Sequence, residues 1–258
     1  MPNYLLASDY DYTLRRWPDD ITGEDKEAIR RFREAGNYFV IVSGRVFQTM
    51  DMELNENGFR DMDMLLTMSG SLATDAYGEI VYENRGDGKI IRPLMETLKS
   101  LNARLASVEV GKKSHSISDF EYKVFGNPVS IDEAAKFPYF TNFCSGFWTV
   151  DAAAEAAKVL EEKFGEWVNP LQNGHSVDLP PKSVNKGLAV KRVADMLGVP
   201  EDNIYTAGDN YNDMDMLSRF HGRAIYYSEP EVLAVAEKSV TTIAEIIEEI
   251  LANDQRDL

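Results

Sequence analysis

The feature that most constrains the fold is an alternation that stops and later starts again. Over the first third of the chain, short apolar runs of strand character alternate with amphipathic stretches, the rhythm of a parallel sheet with helices packed on its faces. Residues 4–7 read as a buried strand. Thr22 with Asp25 fits a capping box opening a helix whose apolar stripe, Ile29, Phe32 and Ala35, runs to Gly36. Residues 38–42 predict a second buried strand, 47–57 a helix closed by Gly58, and 64–67 a third strand. Residues 72–82, with Tyr77-Gly78 at their middle, predict a hairpin, and Arg85-Gly86-Asp87-Gly88 a linker.

The rhythm then changes to a helix over 93–105, short strands, a Pro- and Phe-rich segment over 127–149, and an alanine-rich helix capped by Asp151. From Ser183 the α/β pattern resumes: a helix to Leu197, strands over 204–207 and 223–227, a short helix after Asn212, and helices to Leu251. The expectation is an α/β parallel-sheet core made of residues 1–83 and 179–258, interrupted by an inserted α+β domain at 84–178. Asp-Met-Asp-Met-Leu occurs at both 61–65 and 213–217, but five residues are too few for a structural repeat, whose unit is about 20 residues or more.

Charge narrows the function classes. The 258 residues carry 43 Asp and Glu against 27 Lys and Arg, a formal net charge of -16. That balance repels nucleic-acid phosphates and anionic membrane surfaces, and no basic run or basic helix overrides it. No window approaches the roughly 18 apolar residues of a membrane span. The single cysteine, Cys144, cannot form an internal disulfide, and residues 1–14 lack the basic start and long apolar run of a signal peptide, so a soluble, cytoplasmic protein is expected. The oligomeric state is not written in the sequence, and a monomer is compatible with it.

Four clusters could do chemistry, each where a strand meets a loop or a helix begins, the edge at which open α/β sheets hold their ligands. Asp9-Tyr10-Asp11-Tyr12-Thr13-Leu14 follows the first strand, and two carboxylates delivered there are costly unless they meet a cation or substrate. Val42-Ser43-Gly44-Arg45 ends the second strand with a hydroxyl and backbone amides suited to a phosphate oxygen. Lys186 precedes Gly187 in the first turn of a helix. Gly208-Asp209-Asn210-Tyr211-Asn212-Asp213 packs two acids and two amides into a short loop, a donor set that suits Mg²⁺. Singly, these read equally well as a solvated loop, a helix-capping Ser with a turn Gly, a surface lysine and an Asx-rich cap.

Together, in this order and around an insertion, the four resemble the motifs of the haloacid dehalogenase-like hydrolases, a superfamily with a Rossmann-like core and an inserted cap. The Asn-Lys-Gly of 185–187 and the Gly-Asp-x-x-Asn-Asp of 208–213 resemble its Cof-type sugar-phosphatase-like branch in particular. The resemblance implies an Mg²⁺-dependent phosphomonoester hydrolase acting on a small phosphorylated metabolite through an aspartyl-phosphate. Asp9 would be the nucleophile and Asp11 the general acid and base. Ser43, Gly44, Arg45 and Asn212 would face phosphate, and Lys186 would offset negative charge. Asp209 would bind Mg²⁺ with the Asp9 carboxylate and the Asp11 carbonyl, with Thr13 and Asp213 in the outer shell. Sugar phosphates come first by the resemblance; pyridoxal phosphate and nucleotides stay open.

Electrostatics asks for the same parts, since several carboxylates and a phosphate dianion cannot share a pocket without strong positive charge. Asp11 has to be protonated for one step and ionised for the next, and acidic neighbours that raise its pKa would suit that alternation. Lys112 or Lys113 of the cap are candidate helpers in attracting an anionic substrate. Three positions depart from the family's usual residues: Tyr12 for glycine, Ser69-Gly70-Ser71 for Asn-Gly-Ala, and Tyr226-Tyr227-Ser228 for Gly-Asn-Ala. A phosphomutase and an inactive phosphate-binding relative share the motifs. A phosphorylation-switch receiver needs an acid after the third strand, where this chain has Thr67-Met68-Ser69. His115, His175 and His221 are isolated, with His221 read as structural; Phe143, Phe147 and Trp148 read as cap core, and Cys144 as a small buried residue.

Overall fold

A computed structural model describes residues 3–16 and 20–254; Met1 and Pro2, within the segment weighed above as a leader, lie outside them. The first part of the core contributes β1 (Leu5–Ser8), α1 (Gly23–Glu34), β2 (Tyr38–Val42), α2 (Phe47–Glu56), β3 (Met64–Thr67), β4 (Leu72–Asp75) and β5 (Ile80–Glu83). The insertion holds β6 (Gly86–Asp87), α3 (Ile91–Ser100), β7 (Leu105–Val110), β8 (Lys113–Ile117), β9 (Asn127–Val129), α4 (Ile131–Ala134), β10 (Tyr139–Phe140), β11 (Asn142–Gly146), α5 (Val150–Phe164), β12 (Leu171–Asn173) and β13 (Ser176–Asp178). The chain then returns to the core with α6 (Lys186–Leu197), β14 (Ile204–Gly208), α7 (Met214–Arg219), β15 (His221–Ile225), α8 (Pro230–Val235), β16 (Lys238–Val240) and α9 (Ile243–Asp254).

The core sheet runs β16-β15-β14-β1-β2-β3-β4-β5, parallel from β16 to β3 and closed by the antiparallel β4-β5 hairpin. Alternation along the strands sends side chains to opposite faces. Leu6, Phe39 and Ile41 join α1, α2 and α9 in one apolar cluster, while Leu5, Ala7, Val40 and Val42 join α6 and α7 in another. Parallel strands buried on both faces are the continuous apolar runs read from the sequence.

The insertion builds its own sheet, β12-β13-β11-β7-β8-β9, with α3, α4 and α5 covering one face around Ala106, Val108, Ile117, Phe143 and Val177. Its other face turns toward the core. The Ser114 amide donates to Gln48 Oε1 of α2 at 2.9 Å, and Lys112 Nζ donates to the Gly78 carbonyl at 2.8 Å.

Local differences from the sequence reading have simple causes. The helix expected over 93–105 is α3, which stops at Ser100 because Asn102 takes a left-handed φ of 56° and turns the chain into β7. The alanine-rich helix is capped by Thr149, whose side chain accepts the Ala152 amide, with Asp151 in the first turn instead. The strand expected over 223–227 is β15, two residues earlier. Trp148 is not in the insertion's core: it is 53% exposed, edge-on to Tyr122. The glycine-rich linker at 86–88 is tied down, with β6 paired to β10 and Gly88 donating to the Pro138 carbonyl.

Candidate functional site

Three neighbouring parallel strands end side by side. Ser8 of β1 lies opposite Ala207 of β14 and Ile41 of β2, so the loops after all three open at one edge of the sheet. The Asp9 amide extends the ladder to the Ala207 carbonyl. Beyond it, Tyr10 and Leu14 are fully buried, which leaves Asp9, Asp11 and Tyr12 on the open side. The turn requires φ = 61° at Tyr12. That is a conformation glycine adopts freely and a tyrosine at a cost of roughly 1–2 kcal/mol, which explains what a glycine would do there. The Tyr227 hydroxyl donates to the Tyr12 carbonyl, so two of the departures from the family pattern hold each other.

Lys186 enters from the first turn of α6, where Asn185 caps the helix by accepting the Leu188 amide. Gly187 is required beside it: a Cβ there would stand 2.0 Å from Asp215 Oδ2, so the bare backbone lets α6 pack against α7. Lys186 is 1% exposed, and its Nζ donates to Asp9 Oδ1 and Asp213 Oδ1, each at 2.6 Å. Burial works against the charged ammonium, but the Asp213 and Asp9 charges outweigh it and leave the Lys186 pKa raised. The other Asp213 oxygen accepts the amides of Asp209, at 3.1 Å, and Asn210, at 3.0 Å. Asp213 is therefore a strut between the lysine and the loop.

Asp209 Oδ1 accepts the Thr13 hydroxyl at 2.7 Å. Burial, reinforced by the Asp213 charge, pushes the Asp209 carboxyl up to about 6. Burial also raises Asp9 well above the ordinary carboxyl range, against the pull of Lys186. One oxygen each from Asp9, Asp209 and Asp213 lie within 4.8 Å of one another. Three hard oxygen donors balanced by a single ammonium leave a surplus of negative charge, and this donor set fits a small divalent cation that keeps several waters.

Ser43 is buried, and its Oγ accepts the Arg45 amide at 3.1 Å. Gly44 lies against Asn212: a Cβ added there would be 3.8 Å from Asn212 Nδ2 and 3.7 Å from Asp178 Oδ2. Asp11 differs from expectation. Its carboxylate faces Arg45, whose Nε donates at 2.6 Å and whose Nη2 donates to the other oxygen, with Arg15 Nη1 at 3.9 Å. The side chains that pair with it are cationic. Arg45 also reaches Glu53.

All ten candidate residues thus converge. Asp9, Asp11, Ser43, Gly44, Arg45, Asp209 and Asn212 line one cavity of about 480 Å³, and Thr13, Lys186 and Asp213 lie directly behind it. Sequence reasoning missed the other wall. Ser107, Ser114, Val124, Phe125, Cys144, Ser176 and Asp178 of the insertion also line the cavity. Lys112 and Lys113, the expected cap helpers, do not: Lys112 is spent on Gly78. Cys144 faces the cavity, but burial raises its thiol pKa well above the ordinary range, so it is a neutral lining group. His221 is structural, its ring nitrogens placed on Glu237 and the Asp202 carbonyl.

The chain is similar to known proteins over most of its length. The family model for haloacid dehalogenase-like hydrolases matches residues 6–246. The Bacillus subtilis 5-amino-6-(5-phospho-D-ribitylamino)uracil phosphatase YcsE is 25% identical over 220 residues, 83% of this chain and 79% of its own. A haloacid dehalogenase-like hydrolase from Bacteroides thetaiotaomicron superposes with a TM-score of 0.79 at 18% identity, covering 96% of this chain and 99% of its own. A subclass IIB sugar phosphatase of the superfamily superposes at 0.78 with 18% identity, covering 98% and 99%. Among the described residues no helix is long and apolar enough to cross a membrane.

Proposed function

Because this chain belongs to the haloacid dehalogenase-like hydrolases, in the Cof-type branch that its motifs resemble, we propose that it is an Mg²⁺-dependent phosphomonoester hydrolase acting on a small phosphorylated metabolite. The observation that carries this reading is the buried ammonium of Lys186, clamped between Asp9 and Asp213 at the floor of a cavity of small-molecule size. A buried lysine with two carboxylates is an expensive arrangement, and a phosphoryl group passing over it gives it a use.

Asp9 and Asp209, with the Asp11 carbonyl, would hold the cation, which would supply charge neutralisation for the phosphate oxygens. Lys186 fixes one oxygen of Asp9 and leaves the second to attack phosphorus. The Ser43 hydroxyl, the Gly44 backbone and the Asn212 amide orient the phosphate. Asp11 delivers a proton to the departing oxygen, then takes one from the water that cleaves the aspartyl-phosphate, so one hard displacement becomes two positioned ones. For the first step Arg45 has to let go of Asp11, and the incoming phosphate dianion is the group that competes for it. Residues 84–178 would act as a cap closing over the site from a cytoplasmic protein's solvent. The deciding experiment measures phosphate release from a panel of phosphorylated metabolites with and without Mg²⁺. Stoichiometric free phosphate supports a hydrolase over a phosphomutase, and no release from any substrate overturns the reading.

A further inference from the structure

The cavity's roof is a polar face that the catalytic reading does not use. Strand register builds it. Glu109 of β7 lies opposite Asn142 of β11 and Ser114 of β8, and on the next rung of that face Cys144 lies opposite Asp178 and Ser107. The intervening residues Ala106, Val108, Phe143 and Val177 point the other way, into the insertion's apolar core. Asn142 is fully buried on this face, and its side-chain amide stabilises the neighbouring Asp178 carboxylate. Of this face, Ser107, Ser114, Cys144 and Asp178 line the cavity, with Asn142 and Glu109 behind them.

Charge on this roof has one sign. Among the described residues lining the cavity, Arg45 is the one cation, and it belongs to the floor, paired with Asp11 and Glu53. The roof offers the Asp178 carboxylate, with Glu109 behind it accepting the Ser107 hydroxyl at 2.6 Å. Burial pushes Asp178 up to about 6 and Glu109, which lies behind the lining residues, up to about 8. Val46, Val124 and Phe125 add an apolar side wall on which a carbon chain can lie.

Resting on the phosphatase reading of the floor, we propose that this roof selects a leaving group rich in hydroxyl or amine donors and rejects one carrying a second anionic group, with Asp178 enforcing the choice. Donors satisfy Asp178, whereas a carboxylate or second phosphate meets like charge with no cation among the insertion's lining residues to offset it. Sugar or polyol monophosphates and their amino derivatives fit; bisphosphates and phosphorylated acids do not.

The test uses three non-hydrolysable phosphonates of equal length, ending in a hydroxyl, an ammonium or a carboxylate, titrated into the full-length protein with Mg²⁺ by calorimetry. The carboxylate compound is expected to bind at least about 30-fold more weakly than the other two, and Asp178→Asn to shrink that gap chiefly by improving the carboxylate compound. Binding of the carboxylate compound within about threefold of the hydroxyl compound, or no binding of any of the three, overturns the proposal. The wild-type comparison stands even if the variant misfolds. Mg²⁺-dependent hydrolysis of acetyl phosphate, measured in parallel, reports on the floor alone, so a failed roof and a failed phosphatase reading give different results.

Discussion

On the core side of the cavity, two cations are set among the carboxylates: Lys186 lies between Asp9 and Asp213, and Arg45 spans Asp11 and Glu53. On the insertion side, Asp178 and Glu109 have neighbours that are thiol, amide and hydroxyl. The same contrast runs through the chain: residues 1–83 and 179–258 hold 30 acidic and 16 basic side chains, residues 84–178 hold 13 and 11. A preorganised charged floor suits chemistry that is the same for every phosphate ester, because its groups need no rearrangement when charge moves. A roof of mostly neutral hydrogen-bonding groups suits recognition of the part that differs between esters.

That contrast can be broken in several places, beginning with the largest effect. Asp9→Asn should lower phosphate release by at least about 10⁴-fold with an unchanged circular dichroism spectrum, since the group removed is the one that forms the bond. Chelation of Mg²⁺ should silence the wild type, and re-addition should restore it; activity that survives chelation would break the account of the Asp9-Asp209 pair. Lys186→Met strands two buried carboxylates, so denaturant melts should show a loss of about 3–5 kcal/mol, most of it recovered at acid pH where they protonate.

The roof predicts a pH effect of its own. Glu109 has a folded pKa of about 8, above its ordinary value, so in the window between the two the unfolded chain has lost a proton that the folded chain keeps. Stability from this group therefore falls as pH rises through that window. Glu109→Gln should flatten the fall, making the variant gain on wild type in melts at pH 8 relative to pH 5. The smallest effect is expected at Tyr12→Gly, which relieves the left-handed φ of 61° but loosens the unfolded chain, a net change within about 1 kcal/mol. Because the 56%-exposed Tyr12 ring stands at the cavity wall, the same variant should shift preference toward bulkier leaving groups in a substrate panel.

The floor was legible in the sequence because each of its groups sits within a few residues of a local signal: Asp9 just past a buried strand, Lys186 in a capped first turn, Asp209 after an apolar run. The roof was not, because it exists only by register between distant strands. Leu105-Ala106-Ser107-Val108-Glu109-Val110 alternates apolar and polar as a half-buried strand should, and that pattern cannot tell a face turned to solvent from one turned to a cavity. Asp178 was lost at a proposed domain boundary. The pairing of Asp11 with Arg45 was equally hidden, since the spacing of two residues in Asp9-Tyr10-Asp11 suggests that the carboxylates share a neighbourhood, whereas the turn at Tyr12 gives them different partners.

The central claim is that phosphoryl transfer passes through Asp9. Quenching the protein with borohydride during turnover of a good substrate in Mg²⁺ reduces an aspartyl-phosphate to homoserine, which peptide mass spectrometry can place. The account predicts homoserine at position 9, absent without substrate and absent in Asp9→Asn. Vigorous phosphate release with position 9 unmodified, or with the reduced residue elsewhere in the chain, would contradict it.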